Sequence, residues 1–119
     1  MSLFVTVPTP QLADRLGSLP EGVELAVWDM QSPAPRERID LAVQPYMGGT
    51  QALRNLEGLD IGLVQSQSIG YDGVSELLPD GIPFANAASV HETSTAEIAL
   101  ALTLAAQRQL PRFVLAQQH

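Results

Sequence analysis

The chain has 119 residues, 45% hydrophobic and 16% charged, a length and composition that suit one folded domain and exclude disorder over most of it. Six arginines, no lysine and thirteen acidic residues give a formal charge of -7, so no basic surface exists to neutralise phosphates and nucleic acid is not an expected partner. No cysteine is present and the two histidines, His91 and His119, stand far apart, which argues against disulfides, thiolate chemistry and a metal centre.

The first apolar run, Leu3 to Val7, reads as a strand. It is too short, and too poor in preceding basic residues, for a signal peptide, and no run approaches the ~20 apolar residues of a membrane span. A soluble cytoplasmic protein without membrane association is expected. A helix follows, with Thr9 as N-cap, Pro10 in its first position, Leu12 and Leu16 on one face and Gly17 as terminator. Val23 to Trp28 is the second strand. The link from Asp29 to Arg38 carries Pro33 and Pro35 without apolar periodicity and reads as loop. A third strand is expected at Ile39 to Val43, and a helix from Thr50 through Leu53 and Leu56 to Gly58. Ile61 to Val64 is the fourth strand, Asp72 opens a short helix carrying Val74, Leu77 and Leu78, and Ile82 to Ala85 is the fifth strand.

Several of these strands are continuous apolar runs, as in parallel sheets covered on both faces. Their alternation with helices gives an α/β fold: a flavodoxin-like, open, doubly wound parallel sheet of about five strands. Ser94-Thr-Ala-Glu97 has the pattern of a capping box, so a helix is expected from there. Ile98, Ala99, Leu100, Ala101, Leu102, Leu104, Ala105 and Ala106 cover nearly its whole circumference, a composition that calls for burial on all sides. Pro111 interrupts it, and Arg112 to Gln118 can begin another short helix. Residues 1–92 therefore read as one domain and 93–119 as a long apolar crossover helix and the start of a link. The chain is expected to be a portion of something larger or half of an oligomer.

A phosphate cradle after the first strand is excluded by Val7-Pro8-Thr9-Pro10, where prolines stand in place of donors. No Gly-x-Gly-x-x-Gly is present, so the chain has no dinucleotide site of its own. The segment Gln67-Ser-Ile-Gly-Tyr-Asp72 leaves the carboxyl end of the fourth strand, where α/β sheets carry ligands. Gly70 permits a turn whose amides can hold a carboxylate. Equally, Gly70 can be a plain tight turn and Asp72 a helix cap.

Two separated segments resemble one family. Ser68-Ile-Gly-Tyr-Asp72 is similar to the loop, small-x-Gly-aromatic or aliphatic-Asp, of D-isomer-specific 2-hydroxyacid dehydrogenases. Asn86-Ala-Ala-Ser-Val-His-Glu-Thr-Ser-Thr-Ala-Glu97, with the Leu/Ala-rich helix behind it, resembles a second segment of that family, in the same order and separation. The resemblance implies the N-terminal substrate domain of an NAD(P)-dependent oxidoreductase that interconverts a D-2-hydroxy acid and a 2-keto acid by hydride transfer. It implies that the substrate carboxylate sits on the Ile69 and Gly70 amides with Ser68 alongside. His91 stands where many members have an Asn facing substrate and nicotinamide, a departure that bears on substrate preference; by itself it is an ordinary exposed loop histidine. Thr95 stands in place of a Val near the nicotinamide, or is simply helical. Tyr46 and Met47 fall where the family lines its substrate pocket, or are partly buried packing residues. The family's dinucleotide loop, carboxylate-gripping Arg and Glu-His proton relay have no counterpart here. The resemblance thus implies no catalytic residue within this chain, and no NAD or NADP bound by this portion alone. Its implied partners are a Rossmann domain and a second subunit in a homodimer. The alternative is a stand-alone flavodoxin-like module that binds or dimerises without catalysis.

Overall fold

Short runs of Val, Ile, Leu and Phe pair side by side to build the sheet. The computed structural model describes residues 1–117; the last residue of the helix expected at Arg112 to Gln118 lies outside them. The strands are β1 (Leu3–Val7), β2 (Val23–Val27), β3 (Arg38–Ile39), β4 (Leu41–Val43), β5 (Asp60–Ile61), β6 (Val64–Gln65) and β7 (Phe84–Ala85). One five-stranded sheet has the order β2-β1-β4-β6-β7, and β3 and β5 form a two-stranded one. Every pairing among them is parallel, with Val5 opposite both Leu25 and Leu41 and Val64 opposite Phe84. The fold is α/β with a parallel sheet, as its alternating pattern predicts.

Two expected strands are each divided. Ile39 to Val43 breaks at Asp40, whose carboxylate accepts the Phe4 N–H at 2.8 Å and pairs with Arg38 at 3.1 Å. Ile61 to Val64 breaks at Gly62 and Leu63, beside that point. The ladder still runs across the break, from Gly62 N–H to Ile39 O at 2.9 Å and from Ala42 N–H to Leu63 O at 2.9 Å. The divisions are thus a kink shared by two neighbouring strands.

The helix α1 (Pro10–Leu16) starts as expected, with Thr9 Oγ1 accepting the Leu12 N–H at 3.2 Å and Pro10 in the first turn. Its apolar face is only lightly used: Leu12 is half-buried and Leu16 exposed. The segment expected as a helix from Thr50 to Gly58 is a 3-10 helix, Gly49–Leu56, burying Ala52, Leu53 and Leu56. Leu53 and Leu56 are three apart, a spacing that a three-residue turn puts on one face. The short helix α2 is Val74–Leu77, one turn. Its N-cap is Gly73 in the left-handed region, so Asp72 neither opens nor caps it.

The core gathers Phe4, Trp28, Met30, Ile39, Ala42, Leu53, Leu56, Ile61, Val64 and Val74. Met30 comes from the Asp29–Arg38 link, which is loop as expected yet supplies a fully buried side chain. Asp29 Oδ1 accepts the Gln31 and Ser32 N–H groups, and Asn55 Nδ2 donates to Met30 O at 2.7 Å. This local turn, tied to the 3-10 helix, sends Met30 inward.

Contacts divide the chain into two compact units, Met1–Ala87 and a second from Ala88 onward. The second holds α3 (Glu92–Gln107) and α4 (Leu110–Ala116). Ser94 does not cap α3. The helix begins earlier, with Glu92 Oε1 accepting the Ser89 N–H at 2.6 Å, and the Ser94 hydroxyl donates to His91 O at 3.0 Å. The break before α4 falls at Gln109, left-handed at φ 52°, with Pro111 in the first turn. The expected burial of α3 on all sides is not met within this chain: every residue of it except Ala105 is exposed, because its apolar side chains surround the helix and leave no polar stripe to direct one face inward. No helix among the described residues is long and apolar enough to cross a membrane.

Candidate functional site

A parallel sheet brings the carboxyl ends of all its strands to one edge. The loops after β1, β4, β6 and β7 therefore share that edge, and the chain reverses its direction of strand addition between β1 and β4. Such an edge is where open α/β sheets carry ligands.

The loop after β6, Ser66 to Tyr71, is fastened at several points. Ser66 is buried; its hydroxyl accepts the Ser68 N–H at 3.1 Å and shares a hydrogen bond with the Ser68 hydroxyl at 3.2 Å. Gln65 Nε2 donates to Ser66 O at 2.9 Å and to Asn86 O at 3.2 Å. Gln67 Nε2 reaches across to Gln44 O, at the end of β4, at 2.9 Å. Two bonds come from the exit of β7: Ala87 N–H donates to Ser68 O at 3.0 Å, and Asn86 Nδ2 donates to Ile69 O at 2.9 Å. The Ser68 hydroxyl approaches Gly70 O at 3.5 Å, a long contact.

The accounting is one-sided. The carbonyls of Ser68 and Ile69 accept strong hydrogen bonds, while the amides of Ile69 and Gly70 donate to no acceptor among the described residues. Both residues are exposed. Two adjacent N–H donors without a protein acceptor, at a loop on the carboxyl edge, leave two hydrogen bonds that water or an anion can take. The opposing charge nearby is Asp72, whose Oδ2 lies 4.0 Å from where a Cβ on Gly70 would stand. Asp72 is exposed, so water and salt weaken its repulsion of an anion.

Gly70 is not forced by its turn. Its φ lies outside the left-handed region, and an added Cβ would meet nothing closer than Asp72. The turn expected at Gly70 is thus one that a residue with a Cβ can also make.

Tyr46 and Met47 lie on the loop after β4 and are both exposed, so they are not partly buried packing residues. Met47 is left-handed at φ 59° and is followed by Gly48 in the same region. Gln44, just before them, is buried, with Oε1 lacking a partner among the described residues. The Gln67–Gln44 bond links the start of this loop to the loop after β6, and no hydrogen bond among the described residues joins Tyr46 or Met47 to Ser68, Ile69 or Gly70. His91 and Thr95 belong to the second unit. His91 is the exposed N-cap residue of α3 and makes no side-chain capping bond; Thr95, exposed in the first turn, donates its N–H to His91 O at 2.9 Å.

A cleft of about 490 Å³ lined by Tyr71, Val74, Ser75, Phe84, Ala85 and Asn86 flanks the loop. Sequence reasoning missed the supporting roles of Gln67, Asn86 and Ala87. Asn86 carried a signal, as the first polar residue after a strand; Gln67 carried none, since its partner lies on another strand.

The end of β1 offers no dinucleotide cradle: Pro8 and Pro10 flank Thr9, whose hydroxyl is committed to the α1 N-terminus. Compared with known protein families, curated proteins and solved structures, the chain matches none.

Proposed function

We propose that this chain is the substrate-domain portion of an NAD(P)-dependent D-2-hydroxyacid dehydrogenase, an oxidoreductase that interconverts a D-2-hydroxy acid and a 2-keto acid. The observation that carries the reading is the loop Ser68-Ile-Gly70, with carbonyls fastened and two amide donors free for the substrate carboxylate. Counted along the chain, the strands of the main sheet are ordered 2-1-3-4-5, the flavodoxin-like arrangement, which supports the doubly wound fold proposed with it. Tyr46 and Met47, exposed on a neighbouring loop, would face the substrate side chain. His91 and Thr95 would serve substrate and nicotinamide. The dinucleotide belongs to a Rossmann domain outside these residues, with α3 as the crossover helix, in a cytoplasmic homodimer.

The test follows from the open space at Gly70. Gly70→Val in the complete enzyme is expected to leave urea stability within about 0.5 kcal/mol and to raise KM for the keto acid about tenfold by crowding a charge-assisted bond, with cofactor affinity unchanged. Unchanged kinetics would remove the loop from the site.

A second reading is a stand-alone module that dimerises through its last helices. It is favoured by the exposure of Ile98, Leu100, Leu102 and Leu104 on α3 and Phe113, Val114 and Leu115 on α4. A Gly-x-Gly-x-x-Gly encoded within the next few tens of residues supports the enzyme; a stop codon supports the module.

A further inference from the structure

We infer that Asn86 is a positioning residue that aims the Gly70 amide; this rests on the reading that the loop holds a carboxylate. A trans peptide unit is a rigid plane whose C=O and N–H point in opposite directions, and the described chain has no cis peptide bond. Fixing one carbonyl therefore fixes the amide on the other side of the same plane. The Ile69 carbonyl and the Gly70 N–H share one plane, and Asn86 Nδ2 holds that carbonyl at 2.9 Å. The Ser68 carbonyl and the Ile69 N–H share the preceding plane, held by the Ala87 backbone N–H at 3.0 Å. Two successive residues at the exit of β7 thus grip two successive planes and turn both free N–H groups away from themselves.

The two grips differ in kind. The bond from Ala87 is main chain and survives any side-chain replacement. The bond from Asn86 is a side-chain amide, so one substitution releases a single plane. Gly70 lacks a Cβ and its neighbourhood is open, and no other hydrogen bond among the described residues holds the Ile69–Gly70 plane. Asn86 is itself half-buried, and its backbone carbonyl is held by Gln65 at 3.2 Å, which anchors the grip to the end of β6.

The experiment is a titration of the isotopically labelled 119-residue chain with pyruvate, followed at the backbone amides. In the wild type, the Ile69 and Gly70 resonances shift together. In Asn86→Ala, affinity is expected to fall about tenfold, the loss of one well-aimed charge-assisted donor, and the Gly70 response to shrink far more than that of Ile69. A merely structural role would weaken both amides alike. Equal binding by wild type and variant, or equal loss at both amides, overturns the inference and leaves the carboxylate reading standing. No response to pyruvate at either amide in the wild type overturns both. Should Asn86→Ala fail to fold, Asn86→Ser, whose hydroxyl is too short to reach Ile69 O, takes its place; unfolding of both assigns Asn86 to the fold and overturns the inference.

Discussion

A methyl group at Gly62 has no room. Its Cβ would stand 2.5 Å from the Asp40 carbonyl oxygen, a backbone atom at the kink of the neighbouring strand. Gly62→Ala is therefore expected to cost about 1–3 kcal/mol by forcing the two strands apart, read as a lower urea midpoint at unchanged slope. Asp40, on the other side of the same contact, links stability to pH. The Phe4 N–H, and after it the Arg38 guanidinium, hold its carboxyl below the ordinary carboxylate range. A carboxyl whose folded pKa is depressed stabilises the fold above its unfolded value of about 3.9, and that stabilisation is lost as pH falls through the folded value. Thermal unfolding of Asp40→Asn should show a lower Tm at pH 7 and a flatter fall below about pH 4. An unchanged slope would mean that Asp40 is not linked to folding.

Among the elements, α1 depends on its cap. It contains no buried residue, so packing contributes little and the Thr9 hydroxyl bond matters in proportion. Thr9→Ala should cost the helix about 1 kcal/mol and speed hydrogen exchange of its amides roughly fivefold, leaving exchange in β1 unchanged. This helix was legible because Thr9, Pro10 and Gly17 are local signals. The kinks were less so: Asp40 between Ile39 and Leu41, and Gly62 between Ile61 and Leu63, interrupt apolar runs by one residue, and only their pairing across the strands shows that they coincide. The start of α3 was misread because two Ser-x-x-Glu patterns stand around it, Ser89 to Glu92 and Ser94 to Glu97. Pattern alone cannot rank them, and nothing in Glu92-Thr93 stops the helix from extending back to the first. In the site, Gly70 was visible as a glycine after a strand. The bonds from Asn86 and Gln67 were not, because their partners are set by strand order.

At the scale of the molecule, the apolar circumference of α3 and the exposed Phe113, Val114 and Leu115 of α4 make a surface of the kind that drives association. The isolated chain is expected to sediment as a dimer or larger species at micromolar concentration, and Leu100→Glu with Leu104→Glu to return it to monomer. A monomeric wild type would remove the second reading and the dimer together. The grip of Asn86 and Ala87 on the Ser68–Gly70 loop also has a meaning in time. Both residues lie beyond β7, the edge strand and the last of the sheet in chain order. Until β7 has docked on β6, the loop is synthesised but its peptide planes are free to turn. A ribosome-bound chain ending before β7 would hold every residue of the loop and none of its aim, so on the proposed reading binding competence would arrive only with the closing strand and would report that the sheet is finished.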